Sequence, residues 1–196
     1  MMVGLDIDGV LADFITPFLR VLERRVGNGP ITPATVMDLN FEKHAFVTEQ
    51  AVLECIEEVS NDPAFWQQLA PLPSSEHWKA LEALSRQDSL VFVTHRYERQ
   101  SYSIRQVTCS WLKEHGVSEP VVYFTQAYKS ELIRKLKIEL FVDDRHENCR
   151  DAAENTEALV LMPHRPYNQT FNHPRVQRIQ NLDALFSWVD SNGWKS

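Results

Sequence analysis

The sequence predicts an α/β protein built on a doubly wound, Rossmann-like parallel sheet, and three features of the chain support this prediction. Short apolar segments rich in β-branched residues alternate with segments whose apolar residues recur at helical spacing. Two of the short segments, SLVFVT and ELFVDD, contain continuous apolar runs, which are typical of strands covered on both faces. One long helical stretch after the first strand interrupts the alternation. Strands that alternate with helices in this way indicate βαβ units.

The strands are predicted from the short apolar segments. The first of them contains Asp6 within an otherwise apolar run. Burying a carboxylate without a partner is costly, so this aspartate calls for a functional explanation. The predicted strands lie at residues 2–7, 89–94, 121–124, 139–142 and 158–162.

The helices are predicted from capping residues and apolar stripes. Ser74 can cap a helix whose apolar side carries Trp78, Leu81 and Leu84. Gly116 is placed to end the following helix. The remaining stripes are Ile104, Val107, Trp111 and Leu112, then Leu132, Ile133 and Leu136, and finally Leu182, Leu185, Phe186 and Val189.

Residues 15–73 contain no strand pattern, and we interpret them as a small helical cap domain. One face of the segment TEQAVLECIEEVS is apolar, and Asp62 with Pro63 can begin a second helix. Such an excursion is longer than a simple crossover between parallel strands requires. We therefore expect a core domain formed by residues 1–14 and 74–196 and a cap domain formed by residues 15–73.

The composition argues against several classes of protein. A net charge of −7 disfavours a protein that coats long nucleic acids, because phosphate binding usually needs a basic surplus. No apolar run approaches the roughly 20 residues that span a bilayer. Asp6 interrupts the apolar N-terminal stretch, so a signal peptide is not expected. The cysteines form no CxxC pair, which favours reduced thiols and a cytoplasmic location.

Polar side chains follow the predicted strands at their carboxyl ends. In open α/β sheets these ends share one edge, and ligands bind there. The residues concerned are Asp6 and Asp8 after the first strand, Thr94, His95 and Arg96 after the second, Lys129 after the third, and Asp143, Asp144 and Arg145 after the fourth. Converging carboxylates repel one another and need a cation, and Mg²⁺ suits them because it prefers oxygen ligands.

The residue types at this edge suggest phosphoryl transfer. An aspartate can attack phosphorus, and a carboxylate two residues later can protonate the leaving group and then activate water. A threonine hydroxyl and a lysine ammonium can hold the phosphate oxygens and offset charge in the transition state.

Other charged residues have simpler interpretations. Asp13 is expected to cap the helix that follows it. Arg145 is expected to brace the acidic loop rather than to touch a substrate. His164, Arg165 and Arg175 are expected on a solvated loop face.

Four short motifs, in this order, resemble those of the haloacid dehalogenase (HAD) superfamily of phosphatases. They are DIDGV, VFVT, the lysine of AYKSEL, and FVDDR. The resemblance implies an HAD-like core in which Asp6 is the nucleophile and Asp8 the general acid/base. Thr94 and Lys129, with the neighbouring His95, would bind the phosphate.

The same resemblance implies a Mg²⁺ site. Its ligands would be Asp6, the backbone carbonyl of Asp8, and Asp143. Asp144 would either support the site or bind the metal itself. Gly9 suits the tight backbone that follows the first strand.

Within this superfamily the chain resembles the 5′(3′)-deoxyribonucleotidases of the type C 5′-nucleotidase family. The similar segments are DIDGVLADF, AFWQQLAPLP, FVDDR and, more weakly, HRPYNQTFNHPRV. The resemblance implies hydrolysis of nucleoside monophosphates, with the base stacked on Phe14, Phe65 and Trp66. Phe65 and Trp66 could instead form the core of a small helical cap. His95 and Arg96 depart from the family pattern, which has a small serine after the threonine.

The leading hypothesis is a Mg²⁺-dependent 5′-nucleotidase that acts on small-molecule nucleoside monophosphates. Deoxyribonucleotides are the expected substrates, and ribonucleotides remain the alternative because the sequence does not determine the sugar. The alternatives are an HAD phosphatase for another small phosphoester or a nucleic-acid end, and a catalytically silent nucleotide-binding protein. A cap that closes over the site favours a small substrate over a long nucleic acid. Intact Asp6 and Asp8 favour an enzyme over a silent binder. The sequence leaves open whether the chain forms a homodimer.

Overall fold

A six-stranded, all-parallel sheet forms the centre of the protein in a computed structural model that describes residues 1–27, 31–38 and 46–192. Its strands are β1 (Val3–Leu5), β2 (Leu90–Thr94), β3 (Val122–Phe124), β4 (Leu140–Val142), β5 (Leu159–Pro163) and β6 (Val176–Ile179). Their order across the sheet is β3-β2-β1-β4-β5-β6. The order therefore reverses beside β1, and a crevice opens there at the carboxyl ends of β1 and β4. The prediction of a doubly wound parallel sheet is confirmed.

Helices precede or follow most of the strands. They are α1 (Ile15–Val26), α2 (Glu49–Ser60), α3 (Pro63–Gln67), α4 (Ser75–Arg86), α5 (Ile104–Glu114), α6 (Lys129–Leu136), α7 (His146–Asn155) and α8 (Asp183–Ser191), with short 3-10 turns at Pro33–Thr35 and Pro166–Asn168. Ser74 and Asp62 accept the capping hydrogen bonds predicted for them, from the backbone N–H groups of His77 and Ala64. Asp13 accepts from the backbone N–H of Thr16 at 3.1 Å, so its predicted capping role is also confirmed.

The sheet is covered on both faces, as the continuous apolar runs indicate. Along β2, Leu90 and Phe92 belong to one buried cluster, whereas Val91 and Val93 belong to another. The first cluster also contains Trp111 of α5, whose indole N–H donates to the backbone carbonyl of Leu69 at 2.9 Å. Each buried side chain of this size contributes about 1.5–3 kcal/mol relative to an exposed one.

Helices α1 and α2 enclose a separate apolar cluster. Its buried residues include Phe18, Leu22, Val52, Cys55 and Val59. Two chain segments lead from the sheet to these helices and back, and they pair with each other: the N–H of Asp13 donates to the carbonyl of Ala70 at 2.9 Å, and that of Leu72 to the carbonyl of Leu11 at 2.8 Å. Trp66 and Leu69, although within the range predicted as the cap, pack in the cluster against the sheet.

Two elements were not predicted from the sequence. Strand β6 lies at the edge of the sheet, and only Ile179 of its residues is buried, so its apolar pattern is weak. Helix α7 buries the small or polar residues Asn148, Cys149, Ala152 and Ala153 and therefore carries no large apolar stripe.

None of the described helices is long and apolar enough to cross a bilayer. The three cysteines, Cys55, Cys109 and Cys149, are free thiols.

Candidate active site

An acidic cluster lies in the crevice beside β1. The backbone N–H of Asp6 donates to the carbonyl of Val142 at 2.9 Å, so hydrogen bonding to β4 continues one residue past the end of β1. Asp143 and Asp144 follow β4 directly, and the three aspartates are buried. One carboxylate oxygen from each of them lies within 4.8 Å of the other two. The sequence prediction that these acids converge agrees with this geometry.

Lys129, the first residue of α6, lies between two of the aspartates. Its Nζ is 2.7 Å from Asp6 Oδ1 and 2.7 Å from Asp143 Oδ2. Burial alone would lower the pKa of Lys129, but Asp143 and Asp6 outweigh that effect and raise the pKa above its ordinary value. The lysine is therefore a fixed ammonium at the base of the cluster, and it does not contact the open cavity described below.

Asp143 is held by several donors in addition to Lys129. The side-chain amide of Asn148 donates to both of its carboxylate oxygens, at 3.1 and 3.0 Å. The backbone N–H of Arg145 donates to its Oδ1 at 2.9 Å. Arg145 was expected to brace the acidic loop, and its backbone N–H does so, while its exposed side chain borders the cavity.

Asp144 is held from the other side by residues that follow β5. The hydroxyl of Tyr167 donates to its Oδ2, and the side-chain amide of Asn168 donates to its backbone carbonyl at 2.8 Å. Burial and the neighbouring Asp143 raise the pKa of Asp144 to about 7. Its Oδ1 is buried and has no hydrogen-bond partner among the described residues.

The cluster suits a divalent cation. Three buried carboxylates lie beside the ammonium of Lys129. Burial raises the pKa of Asp6 well above its ordinary value because the charged form lacks sufficient compensation. The unpartnered oxygen of Asp144 offers a further ligand. Hard oxygen donors of this kind are the ligands that Mg²⁺ prefers. Asp6, Asp143 and Asp144 could therefore hold such an ion.

Gly9 lies against Asp144 in a conformation that favours glycine. Its φ is +81°, and a Cβ at this position would lie 2.0 Å from Asp144 Oδ2. The side chain of Arg165 donates to the Gly9 carbonyl through Nε and Nη2, at 3.0 and 2.8 Å. The prediction that Arg165 lies on a solvated loop face is wrong, because it fixes the loop that follows β1.

We expect Gly9→Ala to lower the free energy of unfolding and to displace Asp144. The strained φ alone costs about 1–3 kcal/mol, and the clash with Asp144 adds to it. Gly27→Ala is the matched control, because its φ is +67° and no described heavy atom lies within 4 Å of the added Cβ. Urea unfolding of both variants measures the difference. Equal losses would contradict a specific close approach at Gly9.

Asp8 lies at the wall of a cavity rather than in the buried cluster. Both of its carboxylate oxygens accept hydrogen bonds from the guanidinium of Arg96, at 2.9 and 2.6 Å. Thr94 borders the same cavity, and its hydroxyl oxygen accepts from the backbone N–H of Arg96 at 3.2 Å. Asp8 and Thr94 thus border the same cavity as Asp6.

His95 also borders the cavity, between Thr94 and Arg96. Burial and the neighbouring Lys129 lower its pKa, so the imidazole is neutral at pH 7. Its Nε2 is buried and has no hydrogen-bond partner among the described residues. The ring therefore has a free polar atom beside the acidic cluster.

The cavity has a volume of about 680 Å³ and runs from the acidic cluster towards α1 and α2. Its polar end is formed by Asp6, Asp8, Thr94, His95 and Asp144, and its apolar wall includes Phe14, Phe18, Val52, Ile56, Val59 and Trp66. Such a combination of an apolar wall with a few converging polar groups is typical of a small-molecule site.

Of the three aromatic residues predicted to contact the base, two border the cavity and one does not. Phe14 and Trp66 border the cavity, and their rings stack with centroids 5.8 Å apart. Phe65 is not among the residues that line it. Its ring packs edge-on against Phe14 and Trp66 at centroid distances of 5.7 and 5.4 Å. Phe65 therefore supports the wall from behind, contrary to the pocket position predicted for it.

Tyr167, Asn168 and Asn148 were not predicted as site residues. Tyr167 and Asn168 lie in the segment HRPYN, whose weak resemblance to nucleotidases was the available signal. Asn148 follows the acidic motif by one turn of α7, and nothing in the sequence alone indicates that its amide faces Asp143.

Comparisons with known proteins agree with this geometry. A family model described as "5′ nucleotidase, deoxy (Pyrimidine), cytosolic type C protein" matches residues 1–190. BH1399 of Halalkalibacterium halodurans is 24% identical over 188 residues, covering 95% of this chain and 91% of that protein. YqfW of Bacillus subtilis is 21% identical over 192 residues, covering 96% and 93%. Both relatives are named as candidate nucleotidases.

Two solved hydrolases share the fold of this chain. A hydrolase from Pseudomonas syringae matches with a TM-score of 0.58 and 12% identity, covering 98% of this chain and 99% of that one. An HAD-superfamily hydrolase of subfamily IA from Geobacter sulfurreducens matches with a TM-score of 0.56 and 15% identity, covering 96% and 95%. At these identities the likeness establishes the HAD-like fold alone.

Proposed function

Because the chain belongs to the cytosolic type C 5′-nucleotidase family, whose members are hydrolases of the phosphatase type, we propose that it hydrolyses deoxyribonucleoside monophosphates with Mg²⁺ through an aspartyl-phosphate intermediate. The observation that carries this proposal is the position of Asp6. Its carboxylate lies at the polar end of a cavity whose apolar wall can receive a nucleoside. Cavities for such small molecules typically measure about 300–1,000 Å³.

In the first step, an oxygen of Asp6 attacks phosphorus, and the bond between phosphorus and the nucleoside oxygen breaks. Asp8 acts as the general acid and gives a proton to that oxygen, so the nucleoside leaves as a neutral alcohol. Thr94 and His95 contact the transferring phosphoryl oxygens, since both border the polar end of the cavity. Lys129 stabilises the negative charge of the site from below.

In the second step, water attacks the phosphorus of the aspartyl-phosphate. Asp8 now takes a proton from that water, and the bond between phosphorus and Asp6 breaks, which restores the carboxylate and releases phosphate. Asp8 thus regains the proton that it gave in the first step. Its position at the cavity wall supports both roles.

Asp6, Asp143, Asp144 and the backbone carbonyl of Asp8 are the groups that we assign to Mg²⁺. The ion would neutralise charge on the phosphoryl group and orient it. The unpartnered Oδ1 of Asp144 and the excess of buried carboxylates support this assignment.

The nucleoside binds along the apolar wall. A base stacked on Phe14, which is half-buried, would gain about 1–3 kcal/mol. We treat the helical segment of residues 15–73 as the cap over this wall, and the separate apolar cluster of α1 and α2 supports that division. A cytoplasmic location completes the proposal, supported by the free thiols.

Phosphate release from a panel of nucleoside monophosphates and sugar phosphates tests the proposal. We expect activity to be concentrated on deoxyribonucleotides and to fall about 10²-fold or more in EDTA. Activity on sugar phosphates with none on nucleotides would be consistent with Asp6 as the nucleophile but would reject a nucleotide as the substrate. Tight nucleotide binding without any phosphate release would indicate a silent binding protein.

A further inference from the structure

Arg96 is a buried cation whose ion-pair partner among the described residues is Asp8. Its Nε donates to Asp8 Oδ2 at 2.9 Å, and its Nη2 donates to Oδ1 at 2.6 Å. The side chain of Arg96 is 1% exposed, whereas that of Asp8 is 23% exposed. The buried guanidinium therefore holds a carboxylate that remains open to the cavity.

The guanidinium is itself fixed by contacts on other sides. Its Nη1 donates to the hydroxyl of Thr108 on α5 at 3.1 Å. Its Cζ lies over the ring of Trp66, 4.6 Å from the ring centroid. A planar group bonded at its edges and stacked on an aromatic face has little freedom to rotate.

We propose that Arg96 is the positioning residue of Asp8, fixing the general acid/base at the point of the cavity wall where it reaches the leaving oxygen. This inference rests on the proposed function. A bidentate arginine sets both the direction and the rotation of a carboxylate. Each carboxylate oxygen keeps a lone pair for a proton, a leaving group or water. Lysine could supply the positive charge but could not bind both carboxylate oxygens in this bidentate geometry.

A different role would be direct contact between Arg96 and the substrate phosphate. Arg96 does border the cavity, but its exposed fraction is small and its Nε and Nη2 are both engaged by Asp8. Direct contact would require that the pair separate. The experiment below distinguishes the two roles.

The test compares substrates that differ in their need for a general acid. The nucleoside released from a nucleoside monophosphate would leave as an alkoxide and therefore needs a proton, whereas the p-nitrophenolate released from p-nitrophenyl phosphate is stable without one. We expect Arg96→Ala to lower kcat/KM about 10²-fold for the nucleotide and by much less for p-nitrophenyl phosphate, because a displaced acid affects only the first. Asp8→Asn should show the same selectivity.

A double-mutant cycle adds the decisive readout. If Arg96 acts through Asp8, adding Arg96→Ala to Asp8→Asn should cost little more on the nucleotide. Arg105→Ala is the matched control, because this arginine on α5 is exposed, donates to the backbone carbonyl of Val122 and lies over Phe124. It should leave kcat/KM unchanged on both substrates. Arg96→Lys, which keeps the buried charge, replaces Arg96→Ala throughout if the alanine variant does not fold.

Several results would overturn the inference. Equal losses on both substrates that add to those of Asp8→Asn would mean that Arg96 acts elsewhere. A raised KM for both substrates with unchanged kcat would indicate direct phosphate binding. Wild-type protein that cleaves p-nitrophenyl phosphate and a simple alkyl phosphate, but no nucleotide, would reject the proposed substrate while leaving the role of Arg96 measurable on the alkyl phosphate.

Discussion

Asp6→Asn is expected to abolish phosphate release, with a loss on the order of 10⁴-fold or more. The amide that replaces the carboxylate is a poor nucleophile and cannot form the aspartyl-phosphate. Phosphate release from a nucleoside monophosphate measures the loss. A second measurement is covalent labelling: wild-type protein mixed with radiolabelled substrate and quenched in acid should retain label that hydroxylamine removes, and the variant should retain none.

The loss should not arise from unfolding. Asparagine has nearly the shape of aspartate, and Lys129 keeps its ion pair with Asp143. Asp6→Asn also removes one of three mutually repelling carboxylates. Asp13→Asn is the control, since Asp13 caps α1 through the N–H of Thr16 and asparagine caps a helix about as well. Unchanged turnover in Asp6→Asn would refute the mechanism.

The positions of Asp6, Asp143 and Thr94 could be predicted because each ends or directly follows a short buried strand. Such a strand is readable from a local run of apolar residues, and the geometry of parallel strands brings their carboxyl ends to one edge. Local sequence therefore predicted five of the six strands and the convergence of the acids.

The arginines that hold other groups of the site could not be predicted in the same way. Arg96 binds Asp8 across 88 positions of the chain, and Arg165 binds the Gly9 carbonyl across 156. Arg96 and Arg165 have no sequence pattern that distinguishes them from arginines on a solvated face. Their roles depend on which loops meet at the crevice, and tertiary packing alone decides that.

Phe65 shows that the lining of the cavity, too, cannot be fully predicted from the sequence. A sequence segment predicts that aromatic residues cluster, but not which ring faces the ligand. In the structure, Trp66 is buried and borders the cavity, while the adjacent Phe65 packs edge-on behind it. Adjacent residues on a short helix point in different directions, so one residue of register decides which side chain lines the wall.

Lys129→Met is expected to destabilise the fold by about 3–5 kcal/mol, because removal of one partner leaves buried charges uncompensated. The ammonium is 1% exposed and lies 2.7 Å from both Asp6 and Asp143, whose side chains are 7% and 0% exposed. Methionine fills a similar volume, so the loss reflects charge rather than a cavity. Urea unfolding of the variant and of the wild type measures the difference.

Mg²⁺ should reduce the difference in the free energy of unfolding between Lys129→Met and the wild type. An ion held by Asp6, Asp143 and Asp144 stabilises the folded state by mass action, and it binds more strongly where the carboxylates have lost their ammonium. The difference between Lys129→Met and wild type should therefore be smaller with Mg²⁺ than with EDTA. Lys135→Met, at an exposed position of the same helix, should change stability by no more than about 0.5 kcal/mol in either buffer. If Mg²⁺ raised the free energy of unfolding of neither protein, the acidic cluster would not bind the ion, since stabilisation by binding must appear wherever the ligand prefers the folded state. An equal increase in both proteins would mean that Lys129 does not affect the affinity for the ion.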